Sequence, residues 1–301
     1  MSVSVSDIEL STEQLKTLCD MAIQAAQEAG QWIEKFDRHN LKRIFKDAGS
    51  SEASQIVTEV DIGSESIIRR RLEAVSDSLG IAFVGEESSL SCFGNANQRF
   101  EKPYFWCVDP LDGTLPFVEG RSGYAVSIAL VTQSGIPLIG VVYDPVRQSL
   151  LHAIVGQGSY RNLTPSTLTK RSSAALMVYA DASFKEHPQH QLAISALEHC
   201  ARVLRLEGVT FFYGSGAVVN ACRVLESNQA CYLKLPKKED GGGSIWDYAA
   251  TACIAHEAGG WASDIHGQPL ALNCSDSTFM NRDGVIYASD SEIAECLITT
   301  L

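Results

Sequence analysis

The sequence shows no CxxC pair, no recognisable secretory or membrane-spanning pattern and no surplus of basic residues, and each absence narrows the class of protein expected. Its cysteines (Cys19, Cys92, Cys107, Cys200, Cys222, Cys231, Cys253, Cys274 and Cys296) are scattered and odd in number, which argues against a disulfide framework and for a reducing compartment. The N-terminal segment carries Asp7, Glu9, Glu13 and Asp20 where a leader needs a basic start and an apolar run, so a cytoplasmic protein without membrane attachment is expected. Lys and Arg number 24 against 36 Asp and Glu, a net charge of -12. Non-specific binding to nucleic acid depends on basic surface, and that balance argues against it. No internal repeat or long low-complexity tract divides the chain. What is present is apolar: 45% hydrophobic content over 301 residues supports one large core or two modest ones.

The acidic residues are not spread evenly. Tyr104 to Val108 reads as a buried strand that runs into Asp109-Pro110-Leu111-Asp112-Gly113-Thr114, where the turn sets two carboxylates and the Leu111 carbonyl around one small volume. Clustered oxygens of this kind suit a hard cation such as Mg²⁺, which keeps several waters and is completed by substrate phosphate. The Gly113 and Thr114 amides open a short helix with Pro116 early in it, and unpaired N–H groups there favour an anion. Asp-Pro and Asp-Gly are also ordinary turn formers, so one such segment proves little. Three more segments repeat the pattern. Ile81 to Val84 ends in Gly85-Glu86-Glu87; Asp61 stands as an N-cap before a helical pattern of Ile62, Ile67, Ile68, Leu72, Val75 and Leu79; and Asp247 opens a helix from Trp246 to Ala258 that stops at Gly259-Gly260. Capping or solvation explains each alone; all four at once are harder to explain that way.

A coarse reading places Ser11 with Gln14 as a capping box for a long amphipathic helix whose stripe is Leu15, Leu18, Met21, Ala22, Ala25 and Ala29. Strands follow at Tyr124 to Val131, Ile136 to Tyr143 and Ser149 to Val155. Helices at Gln189 to Leu204, Ala217 to Leu225 and Trp246 to Ala258 then alternate with strands at Val209 to Tyr213, Ala230 to Leu233 and Val285 to Ala288. Turn signals at Asp144-Pro145 and Gly156-Gln157-Gly158 close a first unit near residue 160, which gives two units, 1–160 and 161–301. Periodicity alone supports a mixed α and β protein.

In order and spacing, Thr58-Glu59-Val60-Asp61, Gly85-Glu86-Glu87-Ser88, Trp106 through Thr114, Gly214-Ser215-Gly216-Ala217, Trp246-Asp247-Tyr248-Ala249-Ala250 and Glu257-Ala258-Gly259-Gly260 together resemble the inositol monophosphatase superfamily of Mg²⁺-dependent, lithium-sensitive phosphomonoesterases. The resemblance covers nearly the whole chain and implies an α/β layered sandwich of alternating helix and sheet layers, as in fructose-1,6-bisphosphatase-like proteins. It implies two or three Mg²⁺ ions, with Li⁺ as an inhibitor. Glu86, Asp109, the Leu111 carbonyl and Asp112 would bind one metal, and Asp109, Asp112 and Asp247 a second. Asp61 and Thr114 would orient and deprotonate the attacking water, and the Gly113 and Thr114 amides would hold a phosphate oxygen. The partner implied is a small phosphorylated metabolite, and the family's frequent assembly is a homodimer.

Substrate choice rests on less. Gly214, Ser215 and Gly216 resemble the family's substrate-contacting turn, and are equally a tight strand-to-helix connection. Asp240 lies before Asp247 at the offset where inositol phosphatases carry an acid that bonds a ring hydroxyl, although it sits in the loop Lys237 to Gly243 with three consecutive glycines. The spelling of Asp109 to Thr114 and of Tyr124 to Leu130 resembles the 3'(2'),5'-bisphosphate nucleotidases, which convert adenosine 3',5'-bisphosphate to AMP and phosphate. Lys237 and Lys238 would then meet a second phosphate. Leu115-Pro116-Phe117 departs from the usual spelling of both subfamilies. Inositol 1-phosphate or another sugar phosphate is the alternative substrate, and a non-catalytic metal-binding regulator is the alternative of another class.

Overall fold

The computed structural model describes residues 9–37, 43–45, 56–91, 96–162, 164–166 and 174–301. Its helices are α1 (Thr12–Lys35), α2 (Glu59–Leu79), α3 (Glu86–Ser91), α4 (Thr114–Val118), α5 (His190–Val203), α6 (Ala217–Leu225), α7 (Ile245–Ala258) and α8 (Ser291–Thr300). A short antiparallel pair, β1 (Arg43–Phe45) and β2 (Ile56–Thr58), leads into α2. A seven-stranded sheet follows chain order: β3 (Ile81–Gly85), β4 (Tyr104–Asp112), β5 (Ala125–Thr132), β6 (Pro137–Asp144), β7 (Ser149–Ile154), β8 (Ser159–Arg161) and β9 (Thr164–Pro165). The second sheet has the order β11 (Val209–Tyr213), β10 (Leu176–Ala180), β12 (Ala230–Lys234), β14 (Val285–Ala288), β13 (Trp261–Ser263).

The layers alternate because each helix has a different number of faces to bury. In α1, the capping box is present, with the Gln14 amide donating to Ser11 Oγ at 3.2 Å and the Ser11 amide to Gln14 Oε1 at 2.8 Å. The stripe Leu15, Leu18, Ala22, Ala25 and Ala29 is buried against α2 and the first sheet. Helix α7 is apolar nearly all round, which marks a helix buried on every side; it lies on the opposite face of the first sheet, together with α6. Its small residues permit this, and a Cβ on Gly140 of β6 would collide with the Ala250 carbonyl. Helices α5 and α8 cover the far face of the second sheet. The result is a layered α/β sandwich of helix pair, sheet, helix pair, sheet, helix pair. No described helix is long and apolar enough to cross a membrane.

Most expected elements appear within a residue or two of their sequence bounds. Two differences bear on function. Strand β4 does not end at Val108 but continues to Asp112, with a register shift between Asp109 and Asp112 where it pairs with β5. And Thr58, not Asp61, is the N-cap of α2, with Asp61 at the third helical position of a capping box. Strands β1, β2, β8, β9, β10 and β13 were not expected from the sequence.

Candidate metal-dependent active site

The bulge in β4 builds the centre of the site. Asp109 pairs with Ser127 and Asp112 with Ala125 on β5, and the residues between them bow out of the ladder. Two bonds hold the bow: the Leu111 amide donates to Asp109 Oδ1 at 3.0 Å, and Ser64 Oγ of α2 donates to the Pro110 carbonyl at 2.8 Å. Gly113 then turns the chain into α4 with φ of 86°, and a Cβ there would lie 2.6 Å from the Gly123 carbonyl, so only glycine fits.

Asp61 reaches this bulge from α2. Its Oδ2 accepts from the Thr58 amide at 2.8 Å and from the Thr58 hydroxyl, and its Oδ1 lies 2.9 Å from Thr114 Oγ1. Thr114 Oγ1 is also 3.2 Å from the Leu111 carbonyl oxygen. One hydroxyl thus joins the expected water-activating carboxylate to the expected main-chain metal ligand. One turn along α2, the buried Glu65 accepts from the amides of Glu87 at 2.8 Å and Ser88 at 3.0 Å, which anchors the segment carrying Glu86.

The second half supplies Asp247 and fixes Asp112. Asp247 sits in the first turn of α7, where its Oδ2 accepts from the Ser244 amide in another capping box. Ligand oxygens of Asp109, Asp112 and Asp247 lie within 4.8 Å of one another. Asp112 accepts the Ala217 and Val218 amides, each at 3.0 Å, so the N-terminus of α6 grips this carboxylate. A Cβ on Gly216 would collide with Asp112, which explains the glycine before that helix. The Gly214 to Gly216 turn lies against Gly123, whose carbonyl accepts the Gly216 amide at 2.8 Å.

Burial and like charge together make the cluster electrostatically unsatisfied. Burial first, then the charges of Glu86, Asp247 and Asp112, pushes Asp109 well above the usual carboxylate range. Asp112 is raised by burial and then by Asp247 and Asp181. Asp247 is pushed up to about 7 by burial and by Glu86, and Asp61 up to about 6 by burial despite the Thr58 bonds. Asp109, Asp112 and Asp247, which repel one another across a small volume, fit a hard divalent cation, which would reverse the local sign.

Asp240 is exposed in the loop after β12, where its charge acts on Lys237 and Arg282. The glycines beside it have a packing reason: Tyr248 Oη donates to the Gly242 carbonyl at 2.9 Å, and a Cβ on Gly243 would collide with the same ring. Asp181 and Lys234 were missed. They are joined by an ion pair near Asp112 and Asp247, and Asn220 Nδ2 donates to Asp181 Oδ1 at 3.0 Å. Each follows or ends an apolar strand, the same signal that marked Glu86.

A profile of the inositol monophosphatase family matches residues 14–301. The chain belongs to that family. It is 32% identical over 259 residues to inositol monophosphatase 2 of Solanum lycopersicum, covering 86% of this chain and 91% of the relative. It is 30% identical to an inositol-1-monophosphatase of Synechocystis, covering 96% and 92%, and 28% identical to the Nus factor SuhB of Pasteurella multocida, covering 84% and 87%. In fold it resembles inositol monophosphatase II of Staphylococcus aureus, with a TM-score of 0.71 at 23% identity over 96% of this chain and 94% of that one.

Proposed function

We propose that this member of a phosphatase family hydrolyses a small phosphorylated metabolite by metal-dependent attack of water on a phosphate monoester. The observation that carries the reading is the convergence of Asp109, Asp112 and Asp247 within 4.8 Å, beside a hydrogen-bonded Asp61–Thr114 pair. Glu86, Asp109, the Leu111 carbonyl, Asp112 and Asp247 are the residues that would hold Mg²⁺. When bound, the metal supplies charge neutralisation at the phosphoryl oxygens and lowers the pKa of a water. Asp61 would accept a proton from the attacking water, and Thr114 Oγ1, anchored to Asp61 and near the Leu111 carbonyl, would orient that water. The Gly113 and Thr114 amides hold a phosphate oxygen. Residues 1–160 supply most ligands, while 161–301 supply Asp247 and the wall that meets the leaving alcohol.

The substrate we infer is a 3'(2'),5'-bisphosphate nucleotide. Supporting it are the family spelling of Asp109 to Thr114 and Tyr124 to Leu130, and Lys237, a half-buried ammonium whose pKa is held down by burial and by Lys234. Such a group gains from an incoming phosphate dianion. The second reading, an inositol phosphate, is favoured by the printed activities of the relatives at 30 to 32% identity. Phosphate release from adenosine 3',5'-bisphosphate and from inositol 1-phosphate, with Mg²⁺ or with EDTA, tests both readings. A Mg²⁺-dependent preference in kcat/KM decides the substrate. Release that persists in EDTA refutes the metal-dependent reading.

A further inference from the structure

At the carboxyl ends of the parallel strands β10 and β12, Asp181 and Lys234 form an ion pair that the water and metal roles do not use. In open α/β sheets the carboxyl ends of parallel strands are where ligands collect. The two side chains keep 17% and 18% of their surface accessible while Tyr232 and Asn220 beside them are buried, so the pair is the part of this group that solvent or a ligand can reach. The group borders the carboxylate cluster: the charge of Asp181 is felt at Asp112 and Asp247, and that of Lys234 at Asp247. The same α6 whose amides grip Asp112 sends Asn220 to Asp181, and Tyr232 Oη lies 3.4 Å from both Asp181 oxygens.

A lone carboxylate here would only add to the repulsion among Asp109, Asp112 and Asp247. Lys234 removes that cost, leaving a pair with no net charge that still has acceptor capacity on Asp181 and spare ammonium protons on Lys234. Such a pair is poorly suited to a second phosphate, which would meet the Asp181 charge, and well suited to neutral hydroxyls that both donate and accept. We propose that Asp181 and Lys234 form the leaving-group subsite, recognising hydroxyl groups on the ring that bears the scissile phosphate, whether a ribose or a cyclitol. The inference rests on the phosphatase reading above and specifies which side chains choose the alcohol.

The test is the double variant D181N/K234Q, which removes both charges without changing their sum, so that at Asp247, where both act, the two losses offset one another, while p-nitrophenyl phosphate controls for the change at Asp112. kcat and KM are measured for inositol 1-phosphate, adenosine 3',5'-bisphosphate and p-nitrophenyl phosphate, the last having a leaving group without hydroxyls. The ratio of kcat/KM for each hydroxylated substrate to that for p-nitrophenyl phosphate should fall about tenfold or more, mainly through KM, as expected for lost charge-assisted hydrogen bonds. A shared fall for ribose and cyclitol identifies a common hydroxyl site; a fall for one alone identifies which ring it serves. An unchanged ratio for both overturns the inference. So does an effect on the bisphosphate that follows its 5'-phosphate, seen by comparing adenosine 3'-phosphate. Should the double variant fold poorly, K234R, which keeps the pair but reshapes the donor, must still shift the same ratio. A wild-type protein that turns over none of the substrates refutes the phosphatase reading and this inference with it.

Discussion

On the first sheet, Asp109 and Asp112 come from one bulge in one strand, whereas on the second sheet Asp181 and Lys234 come from two strands and are met by Asn220 from a helix. The contrast is chemical as well as topological. The carboxylate cluster is an excess of buried negative charge that would favour a cation, while the pair on the second sheet is compensated within itself. The two are nevertheless joined: Asp247 meets Asp109 and Asp112 from α7, and the α6 whose amides grip Asp112 also sends Asn220 to Asp181, so a change in the second-sheet pair can reach the carboxylates through one helix.

The largest break in this comparison comes from the carboxylate cluster. Asp109→Asn removes a charge shared by both expected cation positions, and kcat/KM should fall on the order of a thousandfold, the scale seen when a central electrostatic stabiliser is lost. Isothermal titration with Mg²⁺ should show weakened binding in the same variant. Asp61→Asn should cost about 10²- to 10⁴-fold in kcat, the range of general-base catalysis, while Mg²⁺ affinity stays close to wild type. Unchanged turnover would reduce Asp61 to a capping-box residue of α2.

The charge excess also predicts an inverted pH response without metal. Burial and repulsion raise Asp61 to about 6 and Asp247 to about 7, so the folded protein holds protons that the unfolded chain, with carboxyls near about pH 4, has released. The stability linked to these groups is fully present below about pH 4 and is lost as pH rises through about 6 to 7. In EDTA, Tm should therefore drop between about pH 5 and about pH 7.5, and Mg²⁺ should restore it above neutrality. The difference between the two curves isolates the cluster, because His152 and His256, whose pKa values burial lowers, contribute to both alike. A difference that does not grow with pH would mean that the carboxylates are not the cation site.

The two sides also differed in how far the sequence revealed them. Turn chemistry and capping act between near neighbours, so the Asp109 to Thr114 segment, Glu86 after β3 and Asp247 at the start of α7 could be read from local patterns. The continuation of β4 could not, because whether Asp109 and Asp112 form a turn or a bulge is decided by the pairing partners Ser127 and Ala125. Asp61 was placed three positions early because Thr58 and Asp61 are both good caps, and extended backbone at Thr58 selects it. The grip of α6 on Asp112 and the Asp181–Lys234 pair are contacts between distant segments. A charged residue closing an apolar strand marked Glu86, and the same sign applied to Leu176 to Asp181 and to Ala230 to Lys234 points at both missed residues.

The smallest expected effect sharpens the comparison most directly, because Asp240 and the Asp181–Lys234 pair are rival candidates for the proposed contact with the alcohol. The Asp240 loop is fixed from outside: Asn281 Nδ2 donates to the Lys237 and Glu239 carbonyls at 3.2 and 2.9 Å, and Tyr248 holds Gly242. Those anchors do not depend on the exposed Asp240 carboxylate, so Asp240→Asn should leave the loop in place. Exposed substitutions of this kind shift free energies by about 0.5 kcal/mol or less, about a twofold change in kcat/KM. If Asp240→Asn instead raises KM for inositol 1-phosphate about tenfold and spares the nucleotide, a change worth about 1.4 kcal/mol, the loop carries the ring contact. The wall of β10 and β12 would then hold the fold together without choosing the alcohol.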